Sequence, residues 1–541
     1  MIHNGKNILK ITHNGKTINK IMHNGKAIML GYTIPTINLK TYGAIGDGVT
    51  DDTAIIQSAI NSLGGELGTI YIPAGTYVCN NLYLASNITL QGESQAAAIL
   101  MQKANITNTD LLRTNQTGTS NPLENNVNIK LYDLTLRGRC DTEVFAEQAH
   151  TFVINAATGV TCARVQFKGF KGDGAYIGDY NALGNPRFSR NVSFQNCVFD
   201  GIDKDNRNPI SVISVNGLTI NACEFKNATR PDMPGAIDIE PNSADVNAEL
   251  FDITITNNTF NNIGGNGGVI CGNARFACNN QFTNVLIQNN VLGDNSCTKD
   301  IYIANSYGNA TKINNNIKIL DNIVTRTTDD ANHADMIKVY HLCGCEIGGN
   351  ELTTPLIASA ARPNGIYWGM VGAITDAIES CDVRIHHNDI NGSAYPFQIV
   401  NAKGVEIDNN TIANCIRNGL IGVTSASAHA PCWDINHHHN IYNQASLSIS
   451  ALRIGDVTRL QIDDNEFDDC GDRVVGGTQA AIEFYTHTNP CDYIYMRRNI
   501  TRSTLGYMPV SVAKNAARVY GANNINSGNT WHGTVAFTPA Q

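Results

Sequence analysis

The sequence predicts an all-β solenoid whose short strands stack in parallel from one turn to the next, and three observations carry that reading. The first is a recurring phrase: apolar, any, any, often Asn, any, apolar. From residue 128 onward it appears as LYDLTL, FQNCVF, INACEF, ITNNTF, IQNNVL, ILDNIV, IGGNEL, IHHNDI, IDNNTI and IDDNEF. With the last apolar residue as anchor, the series is Leu136, Phe167, Phe199, Phe225, Phe260, Leu292, Val324, Leu352, Ile390, Ile412, Tyr442, Phe467 and, weakly, Thr501. The intervals run from 22 to 38 residues, too little chain for crossover helices, which leaves parallel stacking of successive turns. The second observation stands two residues before the anchors: Cys197 and Cys223, then Asn258, Asn290, Asn322, Asn350, Asn388, Asn410, Asn440 and Asn465. Stacked roughly 4.8 Å apart, those amides can hydrogen-bond to one another along the axis. The third stands six residues before the anchors, where Lys318, Glu346, Arg384 and Glu406 alternate in sign, as favourable neighbours on adjacent strands do.

The chain opens on His-Asn-Gly-Lys, three times, with His3, His13 and His23 ten residues apart. Asn-Gly supplies the two positive-φ residues of a type I′ hairpin turn, so three of them predict a meander, with Ile8, Ile11, Ile18, Ile21 and Ile28 as its β-branched residues. Such a strip is too small to bury a core alone. Residues 1–35 are therefore expected to dock on copies of themselves or on another protein, with the histidines as register residues and not metal ligands. Residues 36–100 are expected to hold the cap and first coils. In YGAIGDGVTDDTAIIQSAINSLGG, Thr50 or Asp51 is expected as N-cap of a helix with Ala54, Ile55, Ala59 and Ile60 on one face and Gly64 and Gly65 as its stop. Asp47, Asp51 and Asp52 are read as turn and cap residues rather than a cation site. Residues 101–510 form the body, and 511–541 a C-terminal cap or tail.

Composition narrows the function classes. With 48 Gly, 16% charged residues and a net charge of −9 without a Lys/Arg cluster, the chain does not look like a nucleic-acid binder. No apolar run approaches the roughly 20 residues a membrane span needs, and the polar start has no signal-peptide core. Fifteen scattered cysteines without a CxxC fit reduced, buried thiols better than a disulfide framework.

The segment from Tyr42 to Gly92, YGAIGDGVTDDTAIIQSAI followed by TIYIPAGTYV and NITLQG, resembles the N-terminal signature of the pectate-lyase-like superfamily of right-handed parallel β-helices. That superfamily holds polysaccharide lyases, polygalacturonase-type hydrolases, epimerases and the trimeric tailspikes of bacteriophages. With the repeats, the resemblance covers about residues 36–510 and implies a right-handed parallel β-helix of about 12 to 13 coils. Asn108-Thr109-Asp110 matches a polygalacturonase strand in letters only, and no Gly-His-Gly or Arg-Ile-Lys follows. The signature therefore points to a fold and leaves the reaction open.

The register nonetheless nominates a site. Each coil carries a second strand whose outward residue reads Tyr176, Ser211, Asp238, Ile270, Tyr302, Lys338, Tyr367, Gln398, Ile421, Arg453 and Glu483. Asp238 and Glu240 in GAIDIEPN point the same way, about 7 Å apart along the strand. Paired carboxylates can divide acid and base roles, and that spacing lies near the inverting range of roughly 6.5 to 9.5 Å. Tyr302, Lys338, Tyr340 and Tyr367 are expected further along the same groove, with Lys338 or a Tyr as the base if the reaction is an elimination. Asp203, Asp205 and Arg207 come from the loop one coil earlier. No metal or other cofactor is expected. A rival column, four residues before the anchors, holds His386, Asp408, His438, Asp463 and Arg497. It could bind a divalent metal or relay protons, but a second charge ladder is the simpler reading.

Two classes of function remain: a depolymerase of a bacterial surface polysaccharide, and a non-catalytic β-helical fibre that binds glycan. The docking strip ahead of a β-helical body resembles the layout of bacteriophage tailspikes, which implies a homotrimer on a virion tail or baseplate. A stand-alone polysaccharide lyase is the alternative within the enzyme class.

Overall fold

From Asn257 onward, each corner between the first two strands of a coil is made by a left-handed residue followed by a buried Asn. Asn257, Asn289, Asp321, Gly349, His387, Asn409, His439 and Asp464 all have φ between 53° and 66°. Asn, Asp and His are the side chains most tolerant of this conformation and Gly takes it freely, which explains why the position before the ladder Asn is polar or Gly in the repeat. The bend turns the next residue inward. Asn258, Asn290, Asn322, Asn350, Asn388, Asn410, Asn440 and Asn465 are all 0 to 2% exposed.

The inward amides satisfy one another completely. Asn290 Oδ1 accepts from the backbone N–H of Asn258 (3.0 Å) and from Asn258 Nδ2 (2.9 Å), while Asn290 Nδ2 donates to Asn322 Oδ1 (2.9 Å) and to Ile255 O (2.9 Å). The pattern repeats through Asn350, Asn388, Asn410, Asn440 and Asn465. It ends on Asn499, one rung beyond those expected. Toward the N-terminus it passes into thiols: Cys223 N–H donates to Asn258 Oδ1, and Cys197 N–H to Cys223 Sγ.

The computed structural model describes the paired strands between residues 2 and 29 and then residues 34–527, apart from 115–124, 183–184, 205, 243–246, 275–281, 306–313, 328–332, 355–362, 371–379, 426–427, 430, 444–449, 471–479, 485–490, 503–507, 513–518 and 523–524. It is a right-handed parallel β-helix of three long sheets. A leading sheet carries strands such as Leu250–Thr256 and Thr283–Gln288. An anchor sheet follows the corner, with strands such as Thr259–Ile263 and Val291–Leu292. A third sheet holds Ile210–Val212, Ile237–Ile239 and Lys299–Asn305. Every anchor pairs with the next as expected, from Leu136 with Phe167 to Phe467 with Thr501. Inside, the column stacks its rings: Phe167, Phe199, Phe225 and Phe260 lie 4.4 to 4.9 Å apart, centroid to centroid, within 8° of parallel. The fourteen described cysteines are buried thiols.

The N-terminal end is closed by α1 (Leu39–Tyr42) and α2 (Thr53–Ser62). The N-cap of α2 is Asp52, not Thr50 or Asp51, and its buried face is Ile56, Ala59 and Ile60, with Ala54 exposed. The difference follows from where the acidic side chains are used. Asp52, 2% exposed, accepts from the backbone N–H groups of Ile45 (2.8 Å) and Gly46 (2.9 Å), and Asp47 accepts from Val49 and Thr50. Asp51 takes the Thr53 N–H and pairs with Lys103 at 2.8 Å. Coils continue past residue 510, where the tail was expected: Val519–Ala522 and Ile525–Ser527 pair with the preceding turn. At the other end, the His-Asn-Gly-Lys repeats form three separate two-stranded antiparallel sheets in place of one meander, with His3 opposite Lys6, His13 opposite Lys16 and His23 opposite Lys26. Among the described residues no helix is long and apolar enough to cross a membrane.

Two stability predictions follow from these contacts. Asn322→Leu leaves Asn290 N–H and Nδ2 facing an apolar chain and should cost about 2 to 4 kcal/mol, two unsatisfied buried groups at about 1 to 2 each. Asn258→Cys, at the rung next to the native thiols, should cost clearly less in the same urea titration. The second concerns His437, fully buried beside Tyr442, with Nε2 2.7 Å from the hydroxyl. Burial holds its pKa down to about 3 against 6.5 for a free imidazole. The unfolded chain therefore takes up a proton near pH 6.5 that the folded chain refuses, so stability is lost as pH falls from 6.5 toward 3. Between pH 6.5 and 5 this one group should remove about 2 kcal/mol, and His437→Gln should flatten that part of the profile.

Candidate active site

The outward column of the third sheet runs from Tyr176 through Ser211, Asp238, Cys271, Tyr302, Lys338 and Tyr367 to Gln398, Leu420, Arg453 and Glu483. Two members differ from the sequence reading. Ile270 and Ile421 are fully buried core residues, and Cys271 and Leu420 take the outward places. The reason is local: Gly268–Ala274 and Gly419–Ile421 are buried on both faces, so neither shows the apolar and polar alternation from which facing is read.

An open cleft of about 230 Å³ lies over the early part of this column. Tyr176, Ser211, Asp238 and Glu240 line it from the sheet, and Glu147, His150 and Arg207 from the bends that precede the strands. Ile237 and Ile239 are fully buried in the core, which turns Asp238 outward. That outward face is itself roofed, and Asp238 is only 5% exposed. Asn208, fully buried, donates from Nδ2 to Asp238 Oδ2 (3.1 Å) and to Ser211 Oγ (3.0 Å). Glu240 is half-buried at the strand end, where its N–H donates to Val212 O (2.9 Å). Both carboxylates therefore face one cavity from a backbone fixed by the sheet.

The opposite wall is an ion network. Arg207 bridges Asp173 (3.0 Å) and Glu147 (3.2 Å), and Asp173 also lies 3.2 Å from His150 Nδ1. Complete burial alone pushes the Asp173 carboxyl up, but His150 and Arg207 hold it below the usual value. His150 stacks on Tyr176 with centroids 5.0 Å apart and planes 26° from parallel. One coil earlier, Asp110 accepts from the His150 N–H (3.4 Å) and pairs with Arg113 (3.2 Å). Burial raises its pKa. The Asn108-Thr109-Asp110 letters thus supply a support behind the wall. Chemically, the cleft joins two neighbouring carboxylates, a third acid, a fixed guanidinium and a tyrosine face, the groups that grip sugar hydroxyls and carboxylates and move protons at a glycosidic bond.

The structure divides the expected groove in two. Asp238, Glu240 and Arg207 share the cleft, whereas Tyr302, Lys338, Tyr340 and Tyr367 do not line it. Lys338 stands three coils from Asp238, roughly 14 Å at the strand spacing. It lies 3.5 Å from Asp335 and 4.5 Å over the Tyr367 ring, while Lys299 lies 5.0 Å over the Tyr302 ring. Burial first, then Tyr340 and Asp335, push the Tyr367 hydroxyl up to about 12, so it is a phenol donor at neutral pH. Asp203 is exposed and accepts from Thr229 Oγ1 (2.9 Å) away from the cleft, and Asp205 lies outside the described residues. Sequence reasoning missed Glu147, His150 and Asp173. Aligning the third strands would have shown a polar column two residues before them, at Asp110, His150, Asp173 and Asn208.

The rival column has the expected register, and its charges close as an ion-pair ladder. Arg384, from the column six residues before the anchors, holds both oxygens of Asp408 (2.9 and 2.8 Å), Arg497 pairs with Asp463 within the rival column, and Lys318 pairs with Glu346 (2.9 Å) in the neighbouring one. His386 Nε2 lies 3.2 Å from Glu346, and His438 Nε2 3.0 Å from Glu406.

Comparison with known proteins agrees with the parallel β-helix fold. A family model described as rhamnogalacturonase A/epimerase, pectate lyase-like, matches residues 36–325, more than half of the chain. The chain is 30% identical over 186 residues to the pre-neck appendage protein of Bacillus phage phi29, a match covering 31% of this chain and 21% of that protein. It is 28% identical over 184 residues to a capsule-specific depolymerase of Klebsiella phage K64-1, covering 32% and 23%. The chain thus matches about a fifth of the length of these relatives. In three dimensions it is similar to a tailspike protein of E. coli bacteriophage HK620, solved in complex with a pentasaccharide, with a TM-score of 0.53 at 11% identity over 90% of this chain and 80% of that one. At that identity the likeness concerns the fold.

Proposed function

The chain belongs to the rhamnogalacturonase A/epimerase, pectate-lyase-like family, and from that premise we propose that it is a tailspike-like virion protein that binds and depolymerises a bacterial surface polysaccharide. The observation that carries this reading is the pair Asp238 and Glu240 lining one cleft, the first from within the strand Ile237–Ile239 and the second from its end. One carboxyl protonates the glycosidic oxygen while the other activates water, and a separation of about 7 Å for alternate strand residues favours inversion. Arg207 and Tyr176 hold the sugar beside them. Tyr302, Tyr340 and Tyr367 extend the binding face along the axis. The relatives from phages phi29 and K64-1 support the virion setting and the capsular substrate class. The N-terminal hairpins, outside the helical body, serve attachment, and the spike is a homotrimer.

If the pair carries the reaction, Asp238→Asn and Glu240→Gln should each keep the fold and glycan binding while lowering turnover about 10² to 10⁴-fold, the scale of general acid or base loss. Asp408→Asn in the ion-pair ladder should leave turnover near normal, and Lys338→Ala should lower it on that scale only if cleavage is an elimination. New reducing ends, and the absorbance of an unsaturated uronic product, report the two chemistries separately. Retained cleavage in both carboxylate variants would remove the site from this cleft, and glycan binding without cleavage by the wild type would make the protein a fibre.

Light scattering should give three times the 58.5 kDa chain mass. Deleting residues 1–30 should leave the β-helix folded and remove virion attachment, and a persistent monomer or an unfolded deletion variant would overturn the assembly reading.

A further inference from the structure

The left-handed corners do something twice that a regular strand cannot. Neighbouring residues on a strand point to opposite faces, but a positive φ at the second residue swings its side chain back beside the first. In the coil of Asp408 and Asn409 the result is a hydrogen bond from Asn409 Nδ2 to Asp408 Oδ2 (2.6 Å). In the coils on either side the same two positions hold His386 with His387 and His438 with His439, where φ is 53° and 54° at the second histidine. Their Nδ1 atoms meet, 3.0 Å apart in the first pair and 2.8 Å in the second.

The other nitrogen of each first histidine is already committed. His386 Nε2 lies 3.2 Å from Glu346 Oε1, and His438 Nε2 3.0 Å from Glu406 Oε1. A carboxylate only accepts, so Nε2 carries the proton, and in the neutral ring Nδ1 then presents its lone pair toward the second imidazole. Glu346 is itself fixed by Lys318 at 2.9 Å. A carboxylate that orients an imidazole from its far nitrogen is the outer-shell arrangement that aims a metal-binding histidine. Two cis ligands about 2.1 Å from an ion stand about 3 Å apart. The second histidine of each pair is exposed, which opens the position to solvent.

We propose that His386 with His387, and His438 with His439, are two equivalent chelating sites for a nitrogen-preferring divalent transition-metal ion of the Cu²⁺, Ni²⁺ and Zn²⁺ class, with Glu346 and Glu406 as positioning residues and water completing the coordination. Without an ion, one Nδ1–H donates to the other Nδ1. Binding an ion moves that proton to the Nε2 of its own ring, the tautomer that frees both Nδ1 lone pairs for the metal. The sites lie on the corner between the leading and anchor sheets, two coils apart, roughly 10 Å at the strand spacing. They are independent of the cleft and of the function proposed for it.

The test is Cu²⁺ titration of the full-length, metal-stripped chain, read by calorimetry and electron paramagnetic resonance. Asn is the residue that neighbouring coils use at this bend, so His387→Asn and His439→Asn preserve the corner, and thermal melting confirms the fold. Each variant should lose one nitrogen-coordinated Cu²⁺ relative to wild type, and the double variant two. The wild-type spectrum should show dipolar coupling between neighbouring ions. Glu406→Gln should weaken the second site about 10 to 100-fold while keeping its stoichiometry. Cu²⁺ uptake and spectra unchanged between wild type and the double variant would overturn the proposal.

Discussion

The molecule depends on one repeated hydrogen-bond circuit, the buried amide that each coil from Asn258 to Asn499 passes to the next. An Asn side chain has two acceptor sites and two donors, and at Asn290 all four are used within the protein. That completeness is what allows a polar side chain to stand in the core without a desolvation penalty. It also fixes register, because a slip by one residue would take the amide out of the core and put an outward side chain in its place. The left-handed corner, the stacked phenylalanines and the charge ladders all repeat in step with it.

A fixed register separates scaffold from chemistry. The leading and anchor sheets are occupied with structural repetition: amides and aromatic rings inside, alternating charges outside. The third sheet follows connections of more variable length, and its outward column changes from coil to coil. That freedom lets Glu147, His150 and Arg207 rise as a wall opposite Asp238 and Glu240, and lets lysines and tyrosines gather a few coils further on. The strands beneath contribute rigidity, which acid and base catalysis needs from its support.

Most of the architecture was legible because it is written once per coil. A column of ten or more similar residues survives several irregular intervals, so all twelve anchor pairings follow from the sequence. Features written once were harder. The helix cap went to Asp52 because three acidic residues competed for similar turn roles, and the outward places of Cys271 and Leu420 were hidden in strands buried on both faces. Asp238 and Glu240 could be paired from their own strand alone. Their opposite wall could not, since Glu147 and Arg207 reach the cleft from separate coils 60 residues apart in the chain. The adjacency of His386 and His387 was visible as letters, but the convergence of their Nδ1 atoms appears only with the positive φ at the bend.

The central claim is that glycan is bound and cleaved in the cleft between Asp238 and Arg207. The most direct measurement is a crystal structure of the Glu240→Gln variant soaked with an oligosaccharide from the host capsule. The account predicts a sugar chain seated in that cleft, with a glycosidic oxygen within hydrogen-bond reach of Asp238 or of the residue at 240, and continuing toward Tyr302. A sugar chain bound on another face, with the Asp238 cleft empty, would contradict it.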